Sequence, residues 1–156
     1  MTNEVIDAIA KAIKTQWEEN CDVYINQLRQ GFNTPCFFIE LIEAHTEAGL
    51  SFDSRGRGGR YHDELTFQIS YFPGNAPGDG GDVRKMYDII PKMGLLLELL
   101  TLADGTKIRG RDISNVIDDD VLHTTVIYDI FYYRVCDNAP YMETLTQTQT
   151  TTKTEV

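Results

Sequence analysis

The chain has 156 residues, of which 42% are hydrophobic and 24% charged, and its 24 acidic against 14 basic side chains give a net charge of −10. That length fits one domain able to bury a core without disulfides or metal. That charge argues against general nucleic-acid binding, which needs cations to displace condensed counterions. Cys21, Cys36 and Cys136 are odd in number and lack CxxC spacing, so they read as small buried hydrophobes in a reducing compartment. Glu4 and Asp7 precede any apolar run, and no uninterrupted apolar stretch reaches about 18 residues, the length needed to cross a bilayer. Neither a signal peptide nor a membrane span is expected, which places the chain in the cytoplasm where it is made.

Residues 3–19 predict an amphipathic helix: Val5, Ile9, Ile13 and Trp17 recur at i+4, with Thr2 or Asn3 as cap and Glu4 and Asp7 at the positive end. A short strand is expected at Asp22–Gln27, followed by a loop marked by Gly31, Asn33 and Pro35. Cys36–Ala44 reads as a strand, or less well as a short helix, with apolar residues on both faces. The pattern dissolves from Thr46 to Arg60. Glu64–Phe72 then alternates cleanly, Leu65, Phe67, Ile69 and Tyr71 against Thr66, Gln68 and Ser70. Pro73–Asp82 is loop by composition, and Asp82 caps a second helix with apolar positions Val83, Met86, Tyr87, Ile90 and Met93. Pro91 and Gly94 predict a kink or an early stop near Ile90. Leu95–Leu102 turns into a strand, Ala103-Asp104-Gly105 is a hairpin turn, and Thr106–Ile117 is a strand interrupted at Gly110. Asp118–Asp120 turns the chain into Val121–Arg134, a long β-branched and aromatic strand that is nearly continuously apolar.

These elements give an α+β fold in the order α-β-β-β-α-β-β-β, a mostly antiparallel sheet of about six strands with two helices packed on one face. Residues 1–140 form the single domain. Residues 141–156 hold a Thr-rich tail with too little apolar surface to fold alone, disordered or ordered only on assembly. Two helices cover one face of such a sheet and not both. The apolar second faces of Cys36–Ala44 and Val121–Arg134 therefore predict self-association, unless the sheet curls around its own second face.

Signals for catalysis are weak. His45, His62 and His123 lack metal-ligand spacing, and Asp118, Asp119 and Asp120 suit a solvated turn better than a cation site. The Gly-rich GNAPGDGGD lacks the GK[ST] of a phosphate-binding loop, and no GxSxG nucleophile elbow is present. No catalytic, cofactor-binding or metal residues are assigned, and the chain is not expected to be an enzyme. Candidate residues lie on surfaces instead. Arg55, Arg57 and Arg60 of the basic RGRGGR stretch suit acids on a neighbouring subunit better than nucleic acid in so acidic a chain, with an idle loop as the bland alternative. Tyr128, Tyr132 and Tyr133 are large rigid aromatics able to anchor a subunit contact, and equally able to pack under the helices.

Several stretches occur together in a telling order: an N-terminal helix and strand, PCFFIELI, LTFQISYFP, DVRKMYDII, Lys107-Ile108-Arg109-Gly110, DDDVLHTTVIYDIFYYR and a closing YMETL. Over about residues 1–145 this resembles a phage tail terminator family found in tailed phages and prophages of Gram-positive bacteria. The Arg/Gly loop at 55–60, Pro91 and the Thr-rich tail depart from it. The resemblance implies a virion subunit at the head-proximal end of the tail, assembled in the host bacterial cytoplasm. It also implies a ring, usually of six copies, that caps the completed tail tube, ends tube polymerisation and joins tail to head. Implied partners are further copies of the chain, the tail tube protein, the head-side connector protein and, in contractile tails, the last sheath ring. DNA would pass through the acidic lumen without specific binding. A head-closure or tail-completion ring protein is the nearest alternative, and a monomeric acidic binding module the more distant one.

Overall fold

The computed structural model describes residues 1–17, 21–26, 31–49, 59–74 and 83–134, with Val83 and Arg134 described by their backbone alone. The elements are α1 (Thr2–Trp17), β1 (Asp22–Ile25), β2 (Cys36–Ala48), β3 (Gly59–Phe72), α2 (Val83–Glu98), β4 (Leu99–Thr101), β5 (Lys107–Asp118) and β6 (Val121–Arg134). The strands form one sheet in the order β1-β2-β3-β6-β5-β4. Every neighbouring pair is antiparallel except β1 and β2, which run parallel and so are joined by a crossover rather than a hairpin. The fold is the expected α+β architecture.

Both helices pack on the same face of the sheet. From α1 come Val5, Ile9 and Ile13, all fully buried, with Ile6 and Ala8; Trp17 closes the stripe by packing its ring 4.9 Å from that of Phe37. The sheet answers with Phe37 and Ile39 of β2, Leu65, Phe67, Ile69 and Tyr71 of β3, and Leu122, Val126, Tyr128 and Ile130 of β6. Each large side chain taken out of water there contributes roughly 1.5–3 kcal/mol. Thr2 is the first helical residue of α1 rather than its cap, and Val5 N–H donates to the Met1 carbonyl.

Three boundaries differ from the sequence expectation. The second helix neither stops nor breaks near Ile90 but passes through Pro91 to Glu98. Tyr87, whose carbonyl Pro91 cannot bond, and Pro91 itself are both exposed, so the lost donor falls on the solvent side of the helix, where its absence costs least. Met86, Ile89, Met93 and Leu97 meanwhile pin both halves of the helix to the sheet. Tyr87 is accordingly a surface residue, and Leu97 belongs to the helix rather than to a strand. Strands β2 and β3 also run on as a ribbon to Ala48 and back from Gly59, through residues whose polarity hides the alternation. Finally, the irregularity in β5 falls between Arg111 and Ser114, where Asp112 has φ +51, and not at Gly110.

Gly110 has a different task. A Cβ there would stand 2.4 Å from the Leu97 carbonyl oxygen and 2.8 Å from Val126 Cγ2. Only a glycine lets the end of α2 settle onto β5 and β6 at this point. The two aspartates Asp119 and Asp120 take φ +46 and +60, the pair of left-handed residues that a two-residue hairpin between β5 and β6 requires. Asp82, expected as the cap of α2, and the Thr-rich tail lie outside the described residues.

Candidate interaction face

The side chains of β2, β3, β5 and β6 that point away from the helices form a face with no secondary-structure layer over it among the described residues. Its character changes from one end to the other. Beside β1 sits an aromatic cluster: Phe38 stacks on Tyr24 at 5.1 Å and meets Phe72 at 5.2 Å, and Phe32 packs edge-on against Phe38 and Phe72 at 5.2 and 5.4 Å. Phe32 lies in the segment joining β1 to β2, which its neighbour Asn33 ties back through an N–H donation to Tyr24 Oη. The chain thus shields this corner itself, and Phe38 is buried.

The middle of the face is polar. Ser70 and His123 are directly opposed across β3 and β6, with Ser70 Oγ 2.8 Å and Gln68 Nε2 3.1 Å from His123 Nδ1. A serine beside a histidine resembles a nucleophile and its base. Among the described residues no carboxylate reaches the histidine to complete a triad, and Ser70 is itself buried.

Further along, Glu64 and Asp129 face each other in register, two like charges that need a cation between them. Arg111, from the irregular turn of β5, supplies it. Its Nε donates to Asp129 Oδ2 at 2.5 Å, its Nη1 to Asp112 at 2.6 Å, and its Nη2 to Glu64. The second Asp129 oxygen lies 2.6 Å from His62 Nε2. These contacts, the Arg111 guanidinium first, hold the Asp129 carboxyl below the usual carboxylate range despite its partial burial. The same contacts raise the guanidinium's own affinity for its proton.

Past this cluster the face turns aromatic again, now exposed. Phe131, 56% exposed, is held between the parallel His62 ring at 4.5 Å and the Arg60 guanidinium at 4.8 Å. Tyr133, 67% exposed, is the register partner of Arg60. From Ile42 onward every residue of β2 is exposed on both faces, so the helix layer no longer covers that strand, although Leu65, Tyr128 and Ile130 of the adjoining β3 and β6, in register with Ala44 and Thr46, stay buried.

The candidate residues read from the sequence therefore separate. Arg60 and Tyr133 come together on the open face. Tyr132 lies half-buried on the opposite face, stacked on Tyr61 at 5.6 Å with its hydroxyl 3.4 Å from Asp63 Oδ1. Tyr128 takes the packed alternative: it is fully buried and its hydroxyl donates to the Leu97 carbonyl at 2.9 Å, one of the last carbonyls of α2. Arg55 and Arg57 lie outside the described residues. The expectation of a greasy second face is corrected: Glu40, Glu64, Asp129, Gln68 and His123 interrupt it, and the large apolar residues in register on it that are exposed are Val116, Phe131 and Tyr133. Period-two counting places these five on that face; what it cannot reveal is that Phe38 is covered by a loop and that Arg111 joins the face through a backbone irregularity.

A one-sheet α+β protein with one packed face and, among the described residues, one open face is the class that fold and face define. The chain matches the family model described as "Phage tail terminator protein" over residues 4–140, and it belongs to that family. It is a structural component of the phage tail, acting with other virion proteins. A solved structure, 15% identical, superposes over 88% of this chain and 99% of its own with a TM-score of 0.43. No curated protein matches the chain.

Proposed function

We propose that copies of this chain close into a ring, six in number, that caps the completed tail tube, ends its polymerisation and joins the tail to the head. The observation that carries this is the open face: two helices cover one side of the sheet, while Val116, Phe131 and Tyr133 stay exposed on the other. A head-to-tail contact that closes yields a ring instead of a filament. The tail tube protein meets one side of the ring and the head-side connector protein the other, and in a contractile tail the last sheath ring also touches it. Arg55 and Arg57, from the loop between β2 and β3, and Arg60, from the start of β3, reach neighbours, and the Thr-rich tail orders on assembly around a single domain of residues 1–140. The ring sits at the head-proximal end of the virion tail and is put together in the host cytoplasm. With a net charge of −10 per copy, its lumen repels DNA phosphates and lets the genome slide.

Negative-stain microscopy of the purified protein with and without tail tubes tests this. Rings on tube ends, with tubes that no longer elongate, are expected. Tubes that keep growing at saturating protein would end the proposal.

A further inference from the structure

One edge of the sheet is unfinished. Strand β1 pairs with β2 only over residues 36–39 and ends at Ile25, so β2 runs on through residues 40–48 with no strand on its outer side among the described residues. The register says which backbone groups this leaves free. Gly49 N–H donates to the Arg60 carbonyl, so Gly49 faces β3, and by the alternation of an antiparallel pair Glu47, His45 and Glu43 face it too. Ala44, Thr46 and Ala48 therefore turn their N–H and C=O groups outward, and their side chains are short. At the opposite edge the tight turn between Asp118 and Val121 fixes the alternation in the same way, and past the register slip only Asn115 and Ile117 of β5 point outward. The β2 edge is the longer template for another strand, and beyond the irregularity at Ile42 neither lysine nor proline blunts it.

The chain also carries a strand pattern outside the described residues. Thr144, Thr146, Thr148, Thr150, Thr152 and Thr154 fall on every second position, and no glycine or proline follows Pro140. Strict alternation of β-branched residues has the period of a strand, and so few apolar side chains leave it in need of a sheet to join. We infer that residues 144–154 of one copy pair with the outer edge of β2, residues 43–48, in the next copy; this rests on the ring proposed above. Topology selects the neighbour over the same copy. Strand β6 ends at Arg134, opposite Gly59, at the end of the sheet where β2 and β3 are linked. To reach its own β2 edge the tail would have to cross that link, and connections on the same edge of a sheet do not cross. Reach permits the neighbour: residues 135–143 span up to about 30 Å, and the residues after them outrun the edge they fill. Charge permits it as well, since Lys153 is the only charged residue between Thr144 and Thr154 and the acids Glu40 and Glu43 meet no like charge. Main-chain hydrogen bonds then hold the contact, as in other strands added to a sheet edge. Because each copy gives a tail at one place and receives one at another, association continues head to tail until it closes.

The test uses full-length variants. Thr146→Pro with Gln149→Pro places one proline at each parity of the tail, so a pairing N–H is lost whichever way the strand is turned. Ala44→Pro spoils the edge alone, because the N–H it removes points away from β3; Ala48→Pro does the same should the first fail to fold. Melting temperatures within a few degrees of wild type are the control that the variants fold. Native mass spectrometry and light scattering should give a ring for wild type, alone or on tube ends, and association weakened at least tenfold for the tail variant and for the edge variant. An equimolar mixture of the two should give a discrete two-copy species, since one intact tail and one intact edge remain to meet. Rings formed normally by either variant, or no two-copy species from the mixture, would overturn the strand exchange and leave the ring standing. The tail would then pair within its own copy or with another virion protein. A wild-type chain that is monomeric both free and on tube ends would remove the ring and this contact together.

Discussion

Arg111 and Asp129 are joined across β5 and β6 by a 2.5 Å hydrogen bond, and the other Asp129 oxygen lies 2.6 Å from His62. Because these partners favour the ionised form, the folded carboxyl titrates below its unfolded value, which is ordinarily about 3.9. Its contribution to stability is therefore complete above that unfolded value and is lost as pH falls through the folded one. Asp129→Asn should flatten the dependence of unfolding free energy on pH in the acid range, measured by denaturant melts between about pH 5 and 2.5. An unchanged slope would show that Asp129 titrates alike in both states.

Gly110 and Gly94 should respond oppositely to alanine. At Gly110 the new methyl group meets a carbonyl oxygen at 2.4 Å and Val126 at 2.8 Å, an overpacking expected to cost about 1–3 kcal/mol. At Gly94, inside α2, nothing lies within 4 Å, and the gain in helix propensity should stabilise by roughly 0.5–1 kcal/mol. Thermal melts of the two variants should move in opposite directions from wild type. A Gly110→Ala protein as stable as the parent would mean that α2 does not rest on β5 as described.

Removing the Tyr128 hydroxyl isolates one hydrogen bond in the core. Tyr128→Phe keeps the ring that packs 6.2 Å from Phe67 but leaves the Leu97 carbonyl without its donor. The expected cost is about 1–2 kcal/mol, read from chemical denaturation, with oligomeric state untouched. A Tyr128→Phe chain that folds normally but fails to assemble would return this residue to the subunit contact.

How far the sequence could be read depends on where each signal comes from. The apolar alternation of Leu65 to Tyr71 and the i+4 stripe of Val5 to Ile13 arise from burial against the chain's own core, and both were legible. The continuation of α2 through Pro91 was not, because tertiary anchors on either side outweigh one local breaker. Nor was the separation of Tyr128 from Tyr133: alternation assigns them to opposite faces, but only the placement of the helices says which face is covered. The Arg111 cluster was hidden more deeply, since its members come from β3, β5 and β6 and meet through a register shift at Asp112. Asp129 alone left a trace, as an acid inside an otherwise apolar run.

Both described thiols should be sluggish nucleophiles. Burial, foremost, and the neighbouring acid Asp22 push Cys21 and Cys36 up to about 11. At pH 8 that leaves about one in a thousand as thiolate, the reactive form. Peptide-resolved alkylation of native protein should label these two positions far more slowly than denatured protein. Equal rates in both states would show that β1 and the start of β2 open readily.

Arg60, at the start of β3, sets its guanidinium over the exposed ring of Phe131, and Arg55 and Arg57 precede it in the same basic run. An exposed cation over an aromatic face contributes roughly 0.5–1 kcal/mol, a small part of the stability of a domain this size. Replacing all three arginines with alanine should therefore shift the melting temperature by no more than a few degrees. If the loop pairs with acids on an adjacent copy, the same triple variant should weaken ring formation several-fold, and added salt should weaken the wild-type ring in the same direction. Ring formation that ignores both the substitutions and the salt would take the loop out of assembly and leave it to stabilise the Phe131 corner alone.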